Sequence, residues 1–189
     1  MVQATIRGFL QRRKYRIQKM TSEVQSKYFK SDEAKETLVG MYKMTAALNY
    51  RIYTYKTGAT YQGQWKGGLR HGRGVMMWPD SARYDGEWQF NQACGQGKFF
   101  HTDGDIYDGE WLNNKANGKG VYTNVKGARY DGYWKEDQQH GFGIETWPEG
   151  AKYEGEYNMS KKEGSGKYTW ADGSTYDGQW LDNKINGFG

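Results

Sequence analysis

A 23-residue repeat is the feature that most limits what this chain of 189 residues can fold into. A tyrosine, a glycine two residues later and an aromatic residue two residues after that recur six times at this spacing. Two glycines separated by one residue follow each copy at a constant offset. Regular copies of this length indicate a repeat architecture, in which each unit packs against the next. The repeat tyrosines are Tyr61, Tyr84, Tyr107, Tyr130, Tyr153 and Tyr176.

Each copy predicts a β-hairpin. Residues two apart share one face of a strand, so Tyr61, Gly63 and Trp65 point the same way, and the second strand is expected near Gly74–Trp78. Pairs such as Asp103-Gly104 between copies are typical of tight turns. A single hairpin of this size cannot bury a core, whereas stacked hairpins can. We expect a mainly β fold: an elongated single-layer antiparallel sheet of repeated hairpins, with N-terminal α-helices.

The full repeat pattern points to a family. The consensus Y-x-G-x-W-x-x-G-x-x-x-G-x-G is matched by Tyr61, Gly63, Trp65, Gly68, Gly72 and Gly74. It resembles the MORN family (membrane occupation and recognition nexus) over roughly residues 58–189, with a partial hairpin at Tyr53–Gly58. Tyr157 departs from the pattern, because it stands where the other copies have tryptophan. The resemblance implies a non-enzymatic scaffold, similar in style to ciliary and cortical MORN proteins of protists, that docks a cytoskeletal or ciliary partner.

The aromatic side chains of the array are the candidate docking face for that partner. The alternative is that these rings only pack the ladder of hairpins, and some rings could do both. The candidate residues are Tyr61, Trp65, Trp78, Tyr84, Trp88, Tyr107, Trp111, Tyr130, Trp134, Trp147 and Tyr153.

The N-terminus carries a second motif. The spacing Val2-Gln3-x-x-x-Arg7-Gly8-x-x-x-Arg12-x-x-Tyr15 resembles the IQ motif, which implies a calmodulin-, light-chain- or centrin-like EF-hand partner. Apolar residues form one helical stripe, and no acidic residue occurs in residues 1–20. Any calcium would be bound by the partner, since no cofactor is expected in this chain. Binding to anionic lipid, or to no specific partner, is the alternative. The candidate contact residues are Val2, Gln3, Ile6, Arg7, Gly8, Phe9, Leu10, Arg12 and Tyr15.

The chain divides into three parts: residues 1–20 as the IQ-motif helix, residues 21–50 as a helical linker or cap, and residues 51–189 as the MORN array. A helical stripe in the linker is expected to cover the first edge of the sheet. The last copy is truncated at Gly189, and an open edge strand favours self-association. The stripe is formed by Leu38, Met41, Tyr42 and Leu48.

Net charge differs between the N-terminal segment and the repeat array. Residues 1–57 have a net charge of +8, and residues 58–189 have −3. The alternative function is a membrane-associated module binding acidic phospholipids through basic loops, at Lys66, Arg70 and Arg73 and at Lys161 and Lys162. An acidic array with its aromatic residues fixed by the repeat argues against nucleic acid. The lack of a signal peptide or long apolar run favours a cytoplasmic protein at the cytoskeleton, cilium or membrane cortex.

The sequence predicts no catalytic or metal site. His71 and His140 occupy one repeat position that holds Cys94 in another copy, so this is a tolerant loop position rather than a ligand set. Cys94 has no evident base partner that could activate it as a nucleophile. We therefore expect no enzymatic activity.

Overall fold

The structure, a computed structural model, describes residues 27–29, 33, 35–36 and 48–187. The expected N-terminal helices lie largely outside these residues. The described part is built from β-strands, and the partial hairpin expected at Tyr53–Gly58 is present as the end of β1 and the turn that follows it. The strands are β1 (Asn49–Thr54), β2 (Thr60–Lys66), β3 (Leu69–Met77), β4 (Arg83–Gln89), β5 (Gln92–Phe100), β6 (Ile106–Leu112), β7 (Lys115–Thr123), β8 (Arg129–Lys135), β9 (Gln138–Thr146), β10 (Lys152–Asn158), β11 (Lys161–Thr169), β12 (Thr175–Leu181) and β13 (Lys184–Asn186).

Two compact units make up the chain. Residues 23–115 belong to the N-terminal unit, and residues from Ala116 onward belong to the C-terminal unit. In the N-terminal unit, β1 to β6 pair antiparallel in chain order. In the C-terminal unit, β7 to β13 do the same. The expectation of an open antiparallel sheet of repeated hairpins is confirmed in both units.

Two-residue turns join the paired strands within each repeat. Both turn residues have positive φ, for example Phe90 (49°) and Asn91 (69°). This left-handed pair is the backbone of a type I′ turn, whose twist matches that of the flanking strands. The second residue also links repeats, because Asn91 Oδ1 accepts a hydrogen bond from the Arg70 backbone N–H (2.7 Å). Sequence reasoning missed these turns. The other pairs are Gly67-Gly68, Asn113-Asn114, Glu136-Asp137, Met159-Ser160 and Asp182-Asn183.

The second strand of each hairpin corrects a sequence prediction. It was expected near Gly74–Trp78, yet β3 runs from Leu69 to Met77, and Gly72 lies inside it with φ 69°. The register between β2 and β3 shifts between Gly63 and Trp65, opposite this part of the strand. The first glycine of each pair therefore marks a β-bulge, for which a residue of positive φ is needed.

The Tyr-x-Gly-x-Trp pattern has a direct packing explanation. The Tyr61 ring lies over Gly63 and Gly74, which face each other across β2 and β3, and a Cβ on Gly74 would overlap that ring. The Tyr61 hydroxyl donates to the Gln64 carbonyl (3.0 Å), and Trp88 Nε1 donates to the Gly74 carbonyl (3.0 Å). The same arrangement recurs in the C-terminal unit with Tyr153, Gly166 and Trp180. The tyrosine hydroxyl is thus satisfied within its own repeat, and the tryptophan N–H is satisfied on the backbone of the preceding repeat.

Candidate docking faces

The inner face of each sheet is defined here as the side that carries the repeat tyrosines and tryptophans. All eleven candidate docking residues lie on it and are at most 7% exposed. They pack the ladder of hairpins, as the alternative interpretation held. Their role in docking a partner stays a prediction, but in the N-terminal unit several of them contact residues outside the repeats.

Two adjacent rings from outside the repeats lie on the inner face of the N-terminal unit. Tyr28 lies 5.1 Å from Trp78 and 5.4 Å from Phe99 between ring centroids. Phe29 lies 5.8 Å from Trp111 and also contacts four other repeat aromatic residues. Tilted and edge-on contacts of this kind are favourable beyond the area that they bury. The described residues 27–29, 33 and 35–36 are called the resident segment below.

Polar contacts fix the resident segment at both ends. The Tyr28 hydroxyl donates to Asp80 (2.9 Å), and Lys27 Nζ lies 2.7 Å from the same carboxylate. Glu36 accepts a hydrogen bond from the Tyr53 hydroxyl (3.0 Å). The segment thus spans from β1 to the turn after β3.

Arg70 is the buried cation of this face. Its guanidinium carbon lies 4.4 Å from the Trp88 ring centroid and 5.7 Å from that of Tyr55, both within cation–π range. Nη2 donates to the Asn91 carbonyl (3.0 Å), and Nη1 lies 3.9 Å from Glu33 Oε2. Both charged side chains are about 95% buried or more, at 3% and 5% exposure. The carboxylate that balances Arg70 therefore comes from the resident segment and not from the sheet.

Burial sets the protonation of this face. It raises the pKa of Tyr55 to about 12 and raises that of Tyr61, and the Arg70 charge opposes both shifts. Burial also lowers the pKa of the Arg70 guanidinium, against the effect of Tyr55 and Glu33. The tyrosines are neutral at physiological pH, so Arg70 is the charged group that the sheet itself contributes here.

The C-terminal unit has its own buried cation, Lys162. Its Nζ lies 2.8 Å from Glu145 Oε2, and that oxygen also accepts a hydrogen bond from the Tyr157 hydroxyl (2.9 Å). The ammonium lies 4.8 Å from the Tyr153 ring centroid and 5.1 Å from that of Trp147. Burial, and next the Glu145 charge, hold the pKa of Tyr157 well above its ordinary value. Cation, carboxylate and ring box all come from the sheet.

The members of this cluster are departures from the repeat. Glu145 and Lys162 stand at the repeat positions that Met76 and Ala93 occupy in the N-terminal unit, and Tyr157 replaces tryptophan. Sequence reasoning noted Tyr157 as a departure and Lys162 as a basic loop residue, but did not connect them with Glu145. The signal was present: three polar substitutions at inner-face positions within one 18-residue stretch.

The proposed basic loops need correction. Arg70 and Lys162 were expected to face anionic lipid, but they are 3% and 4% exposed and lie on the inner faces. Their positions alternate with the outward residues of β3 and β11, so their side chains point away from solvent. Lys66 and Arg73 are exposed and Lys161 is half-buried, so two of the five proposed lipid contacts are lost.

The histidine and cysteine positions gather no chemistry in the described part of the chain. Among those residues, no group of three or more His, Cys, Asp or Glu side chains could hold a metal ion. Cys94 is half-buried, and burial together with Glu87 raises the pKa of its thiol. A raised pKa lowers the thiolate fraction and makes the residue a poorer nucleophile.

Most of the remaining predicted residues lie outside the part of the chain that the structure describes. The whole IQ motif, from Val2 to Tyr15, and most of the linker stripe lie outside the described residues, so their contacts stay predictions. Leu48, the last residue of that stripe, is described and is 50% exposed. Within the described residues, no helix is long and apolar enough to cross a membrane.

Comparison with solved structures finds likeness in fold at low identity. The TCP10 domain of Danio rerio CPAP is 15% identical, with a TM-score of 0.42 over 69% of this chain and 62% of that one. This chain therefore spans less than two thirds of that domain. The TCP domain of Drosophila melanogaster SAS-4, solved with a proline-rich motif of Ana2, is 14% identical, with a TM-score of 0.40 over 72% of this chain and 69% of that one. No curated protein sequence matches.

The comparison with protein families agrees with the hairpins seen in the structure. The MORN repeat matches six consecutive stretches that together cover more than half of the chain. They are residues 61–83, 84–106, 107–129, 130–152, 153–175 and 176–189. Each begins at a repeat tyrosine, the residue whose ring covers the paired glycines in the packed hairpins. This chain belongs to the MORN repeat family.

Proposed function

We propose that this chain is a non-enzymatic scaffold that holds segments of protein on the inner faces of its MORN sheets. MORN repeats are protein-interaction or membrane-binding modules without catalytic function. The observation that carries the proposal is the resident segment, whose Tyr28 and Phe29 rings lie on the inner face of the N-terminal unit. A face that accepts two rings and a carboxylate from outside the repeats has the chemistry to bind a peptide.

The second half of the proposal rests on the sequence. The IQ motif from Val2 to Tyr15 would hold a calmodulin- or centrin-like EF-hand protein, because an acidic two-lobed partner satisfies both its apolar stripe and its positive charges. The chain would then join an EF-hand protein to a cytoskeletal or ciliary partner. Calcium would act through the EF-hand protein.

Photo-crosslinking in cells tests the docking role. Benzoylphenylalanine is introduced at Trp170, which is half-buried on the inner face, or at Tyr133, which is 53% exposed on the opposite side of its sheet. Both sites exchange one aromatic residue for another in the C-terminal unit. We expect discrete intermolecular adducts from position 170 and few from position 133. Equal adduct patterns from both positions would contradict docking on the inner face.

Calmodulin titration tests the EF-hand role. The full chain is titrated by calorimetry with calcium and with a chelator. The paired change Gln3→Ala and Arg7→Ala removes two constrained motif positions. The control pair Gln11→Ala and Arg13→Ala removes the same two residue types from positions that the motif leaves unconstrained. We expect the first pair to weaken binding at least about tenfold and the second to change it little. Binding to anionic vesicles with no calmodulin binding in either condition would favour the lipid alternative.

A further inference from the structure

Three buried donors around the resident segment lack an acceptor. Arg70 Nε, Trp78 Nε1 and the Tyr55 hydroxyl are all buried and have no hydrogen-bond partner. Their residues are 3%, 7% and 2% exposed, and all lie in the N-terminal unit. Buried donors are nearly always paired in proteins, because an unpaired one has lost its water without compensation. Three such groups in one unit indicate a surface shaped for a ligand richer in acceptors.

The resident segment meets this demand only in part. Glu33 reaches Arg70 at 3.9 Å from Nη1, beyond the distance of a charge-assisted hydrogen bond. Its other carboxylate oxygen accepts from the Thr57 hydroxyl (3.0 Å), so the carboxylate is shared between two donors. A carboxylate oxygen placed against Nε of Arg70 would pair this donor with an acceptor and bring a negative charge into hydrogen-bond contact with the guanidinium.

The spacing of the resident contacts defines the ligand. Phe29 packs on the repeat aromatic residues, Glu33 faces Arg70 and Glu36 accepts from Tyr53. Phe29 lies in a bend, whereas Glu33 and Glu36 are helical. A complementary partner is therefore a segment with an aromatic residue followed by two acidic residues, four and seven positions later. The unpaired donors and the buried cation both select for negative charge.

We infer that the inner face of the N-terminal unit is an exchangeable site for an acidic, aromatic segment of another protein, and that the resident segment occupies it as an imperfect internal ligand. This inference rests on the proposed function and adds the ligand's chemistry and its regulation. Because the resident segment is tethered to the same chain, the partner must displace it. The apparent affinity for the partner is therefore the intrinsic affinity multiplied by the fraction of chains whose face is free of the resident segment.

The experiment uses the full chain and a labelled peptide of residues 24–40 as the probe, with binding measured by fluorescence anisotropy. The chain with Tyr28→Ala and Phe29→Ala loses its resident anchors and should bind the peptide at least about tenfold more tightly than the wild type. A peptide with Glu33→Gln and Glu36→Gln should bind that chain at least about tenfold more weakly than the parent peptide.

Two further chains connect the charge effect to Arg70. With Arg70→Met in the anchor-free background, the parent peptide and a peptide with Glu33→Gln alone should bind equally, because the contact of Glu36 with Tyr53 does not depend on Arg70. Arg73→Met, at an exposed arginine of the same strand, should keep the difference. Should the anchor-free chain fail to fold, the chain with Glu33→Gln and Glu36→Gln keeps both rings and should bind the parent peptide more tightly than the wild type does.

Several results would overturn the inference. One is a folded anchor-free chain, with wild-type circular dichroism, that does not bind the peptide. Another is an affinity that does not depend on the peptide's acidic residues. A wild-type chain whose dimer is dissociated by the peptide in sedimentation would show that a second copy is the natural occupant. The photo-crosslinking site at Trp170 lies in the other unit, so the general docking role can succeed or fail separately.

Discussion

The two units contain buried cations at the same repeat position, yet they balance them differently. Arg70 and Lys162 are separated by four repeats and are 3% and 4% exposed. Arg70 takes its carboxylate from Glu33, outside the sheet, at 3.9 Å. Lys162 takes its carboxylate from Glu145, on the neighbouring part of the sheet, at 2.8 Å. The N-terminal face therefore needs an acidic ligand, whereas the C-terminal face is neutralised in advance.

The two units share the packing of the repeat but differ in the inner-face side chains that could recognise a partner. The tyrosine over paired glycines is the same in both units, with Tyr61 on Gly74 and Tyr130 on Gly143. The repeat position that carries Arg70 and Lys162 is occupied by Ala93, Ala116 and Gln139 in the three copies between them. Because the ladder satisfies its own backbone, a side chain at this position can change without altering the hairpin. Recognition can thus differ between units that share one fold.

The largest expected effect is alkaline unfolding, which tests what the units share. Burial raises the pKa of Tyr61 and Tyr84 in one unit and of Tyr130 and Tyr157 in the other, above the ordinary value. Stability is complete below about pH 10 and is lost as pH rises towards the folded-state values, because the unfolded chain releases phenolic protons first. Each of these buried tyrosines should lower the free energy of unfolding by about 1.4 kcal/mol for every pH unit above about pH 10, until the pH reaches its folded-state pKa.

Urea unfolding at about pH 9, 10 and 11 measures this loss, with tyrosine ionisation followed by near-ultraviolet absorbance. Arg70 opposes the raised pKa of Tyr61, whereas Glu145 adds to that of Tyr130 and Tyr157. We therefore expect Tyr61 to ionise before Tyr130 and Tyr157. A urea midpoint that is unchanged up to about pH 11 would show that these phenols are not buried in the native state.

The second effect concerns the C-terminal cation alone. Glu145→Gln leaves the Lys162 ammonium buried without a counter-charge and should cost about 3–5 kcal/mol. The triple change Glu145→Met, Tyr157→Trp and Lys162→Ala restores the side chains of an ordinary repeat and should return stability to near the wild type, since apolar replacement of a buried ion pair is often neutral.

Hydrogen exchange followed by mass spectrometry resolves this loss by unit. Amides of β9 to β11 should exchange faster in the single variant, while those of β2 to β5 keep their protection. Equal loss of protection in both units would contradict the claim that Lys162 is balanced locally. A triple variant as unstable as the single one would mean that the cluster stabilises the sheet beyond its charge pairing.

Much of this molecule could be predicted from its sequence because the repeat overdetermines it. The hairpins, the ring-over-glycine packing and the turn glycines such as Gly104 follow from spacing and from the backbone freedom of glycine. The positive-φ pair Phe90-Asn91 did not, because phenylalanine has no intrinsic preference for that conformation and the hairpin imposes it.

The inner-face chemistry was only partly predictable. The candidate aromatic residues were placed on one face by their period of two, and the structure has them there. Arg70 and Lys162 were interpreted as loop cations, because a basic residue near a turn is usually solvated. Their burial depends on Glu33 and Glu145, which lie 37 and 17 residues away. No local pattern reports partners at such separations.

The third effect isolates the resident segment. Phe29→Ala removes a ring that packs against Trp78, Tyr84 and Trp111 and should cost the N-terminal unit about 2–3 kcal/mol. Phe142→Ala deletes the same side chain from a site that is 54% exposed in the C-terminal unit and should change stability by less than about 0.5 kcal/mol. Urea unfolding measures both variants, and equal losses would mean that Phe29 is not seated on the inner face.

The smallest effect is expected at Glu33, the carboxylate that the resident segment places opposite Arg70. Glu33→Gln keeps an acceptor for the Thr57 hydroxyl but removes the charge opposite Arg70, and should cost about 1–2 kcal/mol. This is less than the cost of Glu145→Gln, because the Arg70 pair is longer and the resident segment can leave the face. The loss should vanish in an Arg70→Met background, which a double-mutant cycle by urea unfolding measures. A loss that persists without Arg70 would assign the role of Glu33 to Thr57, and the N-terminal face would then have no acidic ligand built into it.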